Sequence, residues 1–213
     1  MVYGREVDGR ELNFEASGAL LEASLVMRDR ETDSWWSIMT SDAIGGELEG
    51  EDLEELPVSE KVQWRDWVRK HPDTKVLSIN GVEHVRNNPY DNYFTSANTF
   101  RGLKIDDRRL PPKEPVYTFR LDGKPVAIPQ SSFEGGALFE LPGVEGQRIF
   151  LYRDPGSSFF ASSSGFLVSA DASIEDLRER IRTQNTGGLE RLDGFDTYWY
   201  SWVSVNPKTE LIR

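Results

Sequence analysis

A chain of 213 residues with 24 aromatic side chains (6 Trp, 7 Tyr, 11 Phe) can build a real core as one large domain or two small ones. Its formal net charge of −11 argues against nucleic acid and anionic membrane surfaces, which recruit excess Lys and Arg, and the lack of cysteine excludes disulfides, thiolate metal sites and cysteine nucleophiles in this chain. No apolar run approaches the roughly 18 residues of a membrane span, and the opening MVYGREVDGR has no signal-peptide stretch, so a soluble chain without membrane insertion is expected and its compartment stays open.

Two Asp-Gly pairs lie between β-rich flanks, Asp8-Gly9 in VYGREVDGRELNF and Asp122-Gly123 in VYTFRLDGKPVAI, and each predicts a hairpin with a type I′ turn. Further strands are predicted at ASLVMR (23–28), WWSIM (35–39), KVLSI (75–79) and RIFLYR (148–153). Trp64, Trp67, Val68 and His71 fall on one helical face and predict a helix over 60–70, with Ser59 as N-cap and Pro72 as the stop. SIEDLRERIRTQN predicts a second helix capped by Ser173, with Ile174, Leu177 and Ile181 as its stripe. A third carries Trp199, Trp202, Val203 and Asn206 before Pro207. The expected class is α+β, mostly β.

WRDWVRKHPDTKVL (64–77) and WYSWVSVNPKTELI (199–212) share five of fourteen positions: both Trp, Val, Pro and Thr. The likeness continues upstream, where LEELPVSEKVQW parallels LERLDGFDTYW with one gap. Two related halves are therefore expected, each with β-hairpins and one Trp-bearing helix whose indoles serve the core. The first repeat spans 1–78, an Asn- and Tyr-rich connector 79–115, and the second, more complete repeat 116–213, together forming one compact unit. Since the first repeat opens inside a hairpin, it is expected to be truncated on its N-terminal side, with another segment or a partner strand covering its edge.

The phrases FEASG, LVMRDRETDSWWS, AIGG, LEELP and WRDWVRKHPDT, with RNNPYDNY, DDRRLPPKEPV and YRDPGSS downstream, resemble the domain-of-unknown-function family 3179, a group of prokaryotic proteins, over nearly the whole chain. The resemblance implies no activity. It does imply a strand and a Cys-Pro-x-Cys-like segment upstream of the point where this sequence opens, so any redox or metal role resting on those cysteines is not carried here.

Asp29, Glu31 and Asp33 in DRETDS imitate the opening of a calcium loop, but Ser34 and Thr40 stand where such a loop needs Gly and Glu. The stretch reads as a polar turn. His71 and His84 are the only histidines, too few for a three-His zinc site; His71 reads as a helix-end residue and His84 as a surface residue of the INGVEHV hairpin. No G-x-S-x-G, G-x-G-x-x-G or Walker-type loop is present, so no metal and no cofactor is expected. The acidic run ELEGEDLEELPVSE (47–60) reads as a solvated face.

The leading expectation is a non-catalytic binding or structural module for a small polar ligand or a protein partner. Arg86, Asn88, Tyr90 and Tyr93 of the connector, with Arg30, are its candidate ligand contacts. One alternative is a hydrolase using Asp29 and Asp33 as acid and base with His71 assisting; another is a fragment of a larger redox or metal protein. If His71 and Asp29 meet in one cleft, the hydrolase gains.

Overall fold

The computed structural model describes residues 2–56, 64–78, 81, 90–141, 145–157 and 163–213. Among these, three four-stranded sheets and a short hairpin carry the chain, joined by four short α-helices, so the fold is α+β and sheet-rich.

The first hairpin pairs β1 (Glu6–Val7) with β2 (Arg10–Glu11). Asp8 and Gly9 take φ of 51° and 71°, the two positive values that a type I′ turn requires. β3 (Phe14–Leu21), β4 (Ser24–Asp29), β5 (Trp35–Ser37) and β6 (Ala43–Gly45) follow as an antiparallel meander in chain order. Trp36, Ala43, Val7 and Leu12 make its core with Leu48 and Leu53. These two leucines anchor the acidic run, whose Glu47, Glu49, Glu51, Asp52 and Glu54 face solvent.

A further Asp-Gly hairpin and four-stranded meander follow. β7 (Pro115–Leu121) and β8 (Lys124–Pro129) form the other Asp-Gly hairpin, with φ of 48° and 74° at the turn. Leu121 faces Lys124 as Val7 faces Arg10. β9 (Ala137–Glu140), β10 (Gln147–Tyr152), β11 (Ser164–Ser169) and β12 (Glu190–Arg191) form a second antiparallel meander. Between its last two strands lies α3 (Ile174–Arg182), which follows α1 (Trp64–Lys70) and α2 (Asp91–Thr95) in the chain. Ser173 caps α3 by accepting from the Asp176 amide at 3.4 Å, and Leu177 is buried on Phe150, Phe166 and Val168.

The chain then returns to its hairpin. β13 (Gly194–Tyr198) pairs antiparallel with β7, α4 (Trp199–Val205) crosses over, and β14 (Glu210–Leu211) joins β8 in parallel. Alternation along β7 and β8 sends Tyr117, Phe119, Val126 and Ile128 toward the second meander, where they meet Ile149 and Leu151. It sends Val116 and Ala127 the other way, onto Trp199, Trp202 and Val203. Met39 of the first half joins that second cluster and so ties the halves together.

Two expectations need correction. KVLSI is expected as a strand, but residues 75–78 lie in no strand and Leu77 is 94% exposed; residue 79 lies outside the described residues. The indoles were expected to serve the core in both halves, yet Trp64 is 53% exposed while Trp199 and Trp202 are 0% and 1% exposed. The physical reason is non-local: α4 is held between two strands paired to the β7–β8 hairpin, whereas the stretch after α1 pairs with no strand among the described residues. Both helices end alike. The His71 amide donates to Trp67 O (2.8 Å) and the Thr74 amide to His71 O (3.1 Å), as the Asn206 amide does to Trp202 O (2.9 Å) and the Thr209 amide to Asn206 O (3.0 Å). Ser59 and the expected first turn of α1 lie outside the described residues.

Candidate functional site

The DRETDSW stretch forms a closed polar turn at the end of β4. Asp29 is fully buried and its carboxylate accepts from the Thr32 amide (2.6 Å), the Thr32 hydroxyl (2.8 and 2.9 Å) and the Trp36 indole (2.8 Å). Burial alone would push the Asp29 carboxyl up, but the donors from Trp36, Thr32 and the Ser34 backbone together hold it below the usual carboxylate range. Ser34 accepts from the Leu48 amide at 3.0 Å, and Gly46 leaves room for it: a Cβ there would sit 2.6 Å from the Ser34 Cα. Asp29 is therefore a structural anion.

The hydrolase constellation is not assembled. Asp33 is exposed and pairs with Arg28 at 3.3 Å, and His71 is exposed with its ring 4.0 Å from the Trp67 ring. No hydrogen bond joins either residue to Asp29 among the described residues. Arg30 pairs with Glu15 at 2.9 Å, at the end of β4 opposite the connector contacts described next. Seven residue steps along β4, about 23 Å at ~3.3 Å per residue, separate it from Ala23 in the β3–β4 turn.

Of the other connector candidates, Arg86 and Asn88, like His84, lie outside the described residues. Tyr90 and Tyr93 are described, and both line a cleft of about 380 Å³. Its back wall is a tyrosine cluster. The Tyr93 and Tyr200 hydroxyls are 2.8 Å apart, the Phe100 amide donates to Tyr200 at 3.4 Å, and Tyr198 stacks on Tyr200 with centroids 6.3 Å apart. Tyr93 meets Phe94, Phe100 and Tyr198 edge-on at 5.2, 6.0 and 6.0 Å. Lys113 pins this cluster: its Nζ donates to the carbonyls of Tyr93 and Ser96 and lies 4.1 Å from the Tyr93 ring centroid and 5.1 Å from that of Tyr198. Burial pushes the Tyr93 and Tyr198 phenols up, reinforced at Tyr93 by the hydrogen bond with Tyr200, so both stay neutral at physiological pH.

The floor is Asp196, two residues before Tyr198 and on the same face of β13. Its carboxylate accepts from Gln130 Nε2 (2.6 Å), Ser163 Oγ (2.6 Å) and the Ser163 amide (2.8 Å). The opposite lip comes from the first half, as Leu20 and Ala23 of the β3–β4 hairpin. That hairpin turns through Glu22 and Ala23 at φ of 47° and 61°, a type I′ geometry built without glycine. Each such residue costs roughly 1–2 kcal/mol, and strain of this kind concentrates at ligand sites.

Asp196, Tyr198, Tyr200 and Lys113 were not singled out from sequence. The signal lay in DTYWYSW, which the tryptophan period dominates; read as a strand passing into a helix, it turns Asp196 and Tyr198 together away from the core-facing Phe195. A second cavity of about 340 Å³ lies beside α3, but its cations are engaged: Arg178 donates to the Gly135 and Gly136 carbonyls at 2.7 and 2.9 Å, and Arg182 pairs with Glu179.

The features above define the class, a sheet-rich α+β domain with an aromatic cleft. Among the described residues no group of three His, Asp or Glu could hold a metal ion, and no helix is long and apolar enough to cross a membrane. Over residues 1–209 the chain matches the family model described as protein of unknown function, DUF3179, and it belongs to that family. No curated protein and no solved structure matches it.

Proposed function

We propose that this chain is a non-catalytic binding domain that takes a small ligand in the cleft between the β3–β4 hairpin and the tyrosine cluster. The observation that carries this reading is the cleft itself: its volume of about 380 Å³ falls within the range of small-molecule sites, and aromatic rings line it around one carboxylate. Tyr90, at 52% exposure, stands in its lining as a large ring open to solvent. The hydrolase reading finds no support, because the Asp29 carboxylate is consumed by its own turn.

A fragment screen by protein-observed NMR tests the proposal. Ala23→Arg, at the tip of the half-buried β3–β4 turn, should block the lip without unfolding the protein. Fragments shifting cleft resonances in the wild type are expected to lose binding in that variant; hits indifferent to it would remove the cleft from consideration.

We also infer that residues 1–78 and 116–213 descend from one duplicated unit, joined by the 79–115 connector. Support comes from the shared order of Asp-Gly hairpin, four-stranded meander and Trp helix, and from the matching hydrogen bonds that stop α1 and α4. On this reading the cleft is a product of duplication, since one copy supplies its lip and the other its floor.

A further inference from the structure

Resting on the reading of the cleft as a ligand site, we propose that its ligand is an organic cation, an ammonium group carrying methyl or methylene substituents. Three observations converge on that chemistry. Among the described residues that line the cleft, Asp196 supplies the single formal charge and no Lys or Arg is present. Phosphates and carboxylates would meet repulsion from Asp196, with no cationic side chain among the described lining residues to offset it. The three donors to the Asp196 carboxylate, from Gln130 and Ser163, are neutral, so they leave its negative charge in place to attract an ammonium group at close range.

The rings supply the second observation. Tyrosine faces attract cations through the negative lobe of their quadrupole, and the protein already uses this cluster in that way, with the Lys113 ammonium against Tyr93 and Tyr198. Lys113 occupies the connector side and does not line the cleft, so a ligand cation is directed away from it and toward Asp196. The third observation is the lip, where Leu20 and Ala23 present aliphatic surface suited to methyl groups rather than to a hydroxyl-rich ligand. The net charge of −11 would favour the approach of a cation.

Choline and its neutral carbon isostere 3,3-dimethylbutan-1-ol have nearly the same shape and differ in charge, so they isolate the proposal. Isothermal titration of the full chain is expected to show choline binding about tenfold or more tighter than the isostere. The preference should fall severalfold in Asp196→Asn, the remainder coming from the tyrosine faces, and choline binding should weaken at least as much in Tyr198→Leu and Ala23→Arg. Should Asp196→Asn fail to fold, because it also holds Gln130 and Ser163, the other two variants still decide.

Equal binding of both probes, sensitive to Ala23→Arg, would overturn the cation and leave the cleft as a site. So would failure of both probes while cleft-dependent fragments still bind. Choline binding indifferent to Tyr198→Leu and Ala23→Arg would overturn the proposal by locating the cation elsewhere. If neither probes nor fragments engage the cleft, the binding reading falls with it.

Discussion

α1 and α4 share a tryptophan spacing and end in the same pair of backbone hydrogen bonds, yet one exposes its leading indole and the other buries both. Helix and stop are local properties, carried by the 3.6-residue period and by a proline that pushes the residue before it out of the helical region. Burial is decided by what flanks the helix. α4 is tethered through β13 and β14 to the two strands of one hairpin, which lays Trp199 and Trp202 on Val116 and Ala127. Arg109 and Arg120 then lie over these indoles, 5.0 and 5.6 Å from the ring centroids. The buried Asn206 completes the arrangement by accepting from Arg120 at 3.1 Å, whereas His71 at the same place in the first half faces solvent.

The sharpest way to break this comparison is to remove one indole from each half. Trp202→Ala should cost about 3–5 kcal/mol of unfolding free energy, and Trp64→Ala no more than about 0.5 kcal/mol, both measured by urea denaturation. Equal losses would mean that α1 is as well packed as α4.

A second contrast uses the carboxylates. Asp29, in the first half, has its folded pKa held down, so its contribution is present above the ordinary carboxylate value near ~4 and is lost as pH falls through the lower folded value. Glu55 and Asp193, one from each half, are raised by burial and by repulsion at Glu55 from Asp193. Their contribution is present below ordinary carboxylate values and lost as pH rises through the raised ones. Melting temperature should therefore pass through a maximum at mildly acidic pH. Asp193→Asn should raise it at neutral pH and flatten the alkaline side, whereas Asp29→Asn should cost about 1–3 kcal/mol at neutral pH and flatten the acid side. A wild-type profile that rises steadily from acid to neutral pH would contradict the assignment of Glu55 and Asp193.

The smallest expected effect separates the turns. Ala23→Gly should stabilise the fold by about 0.5–1 kcal/mol and Gly123→Ala should destabilise it by a similar amount, since both positions have positive φ and only one holds glycine. Thermal denaturation of the two variants reads the difference; a destabilising Ala23→Gly would show that the Glu22–Ala23 turn is not strained.

Much of this architecture was legible in the sequence because it is local. Asp-Gly pairs specify type I′ turns, Ser173 specifies a cap, and Trp199, Trp202 and Val203 specify a face. The candidate site was legible only at Tyr90 and Tyr93. Asp29 had the look of an acid while its own turn consumes it. The KVLSI stretch had the composition of a strand, but a strand needs an edge to pair with, and composition does not carry that information.

By itself, then, the sequence determined the hairpins, the helix stops, the sheet-rich class and the family, all of which depend on residues near one another in the chain or on their pattern. Only the tertiary structure decided which Trp helix is buried, and that Leu20, Tyr93 and Asp196 share one cleft. Those outcomes rest on strand pairings between distant segments, whose partners no local pattern names.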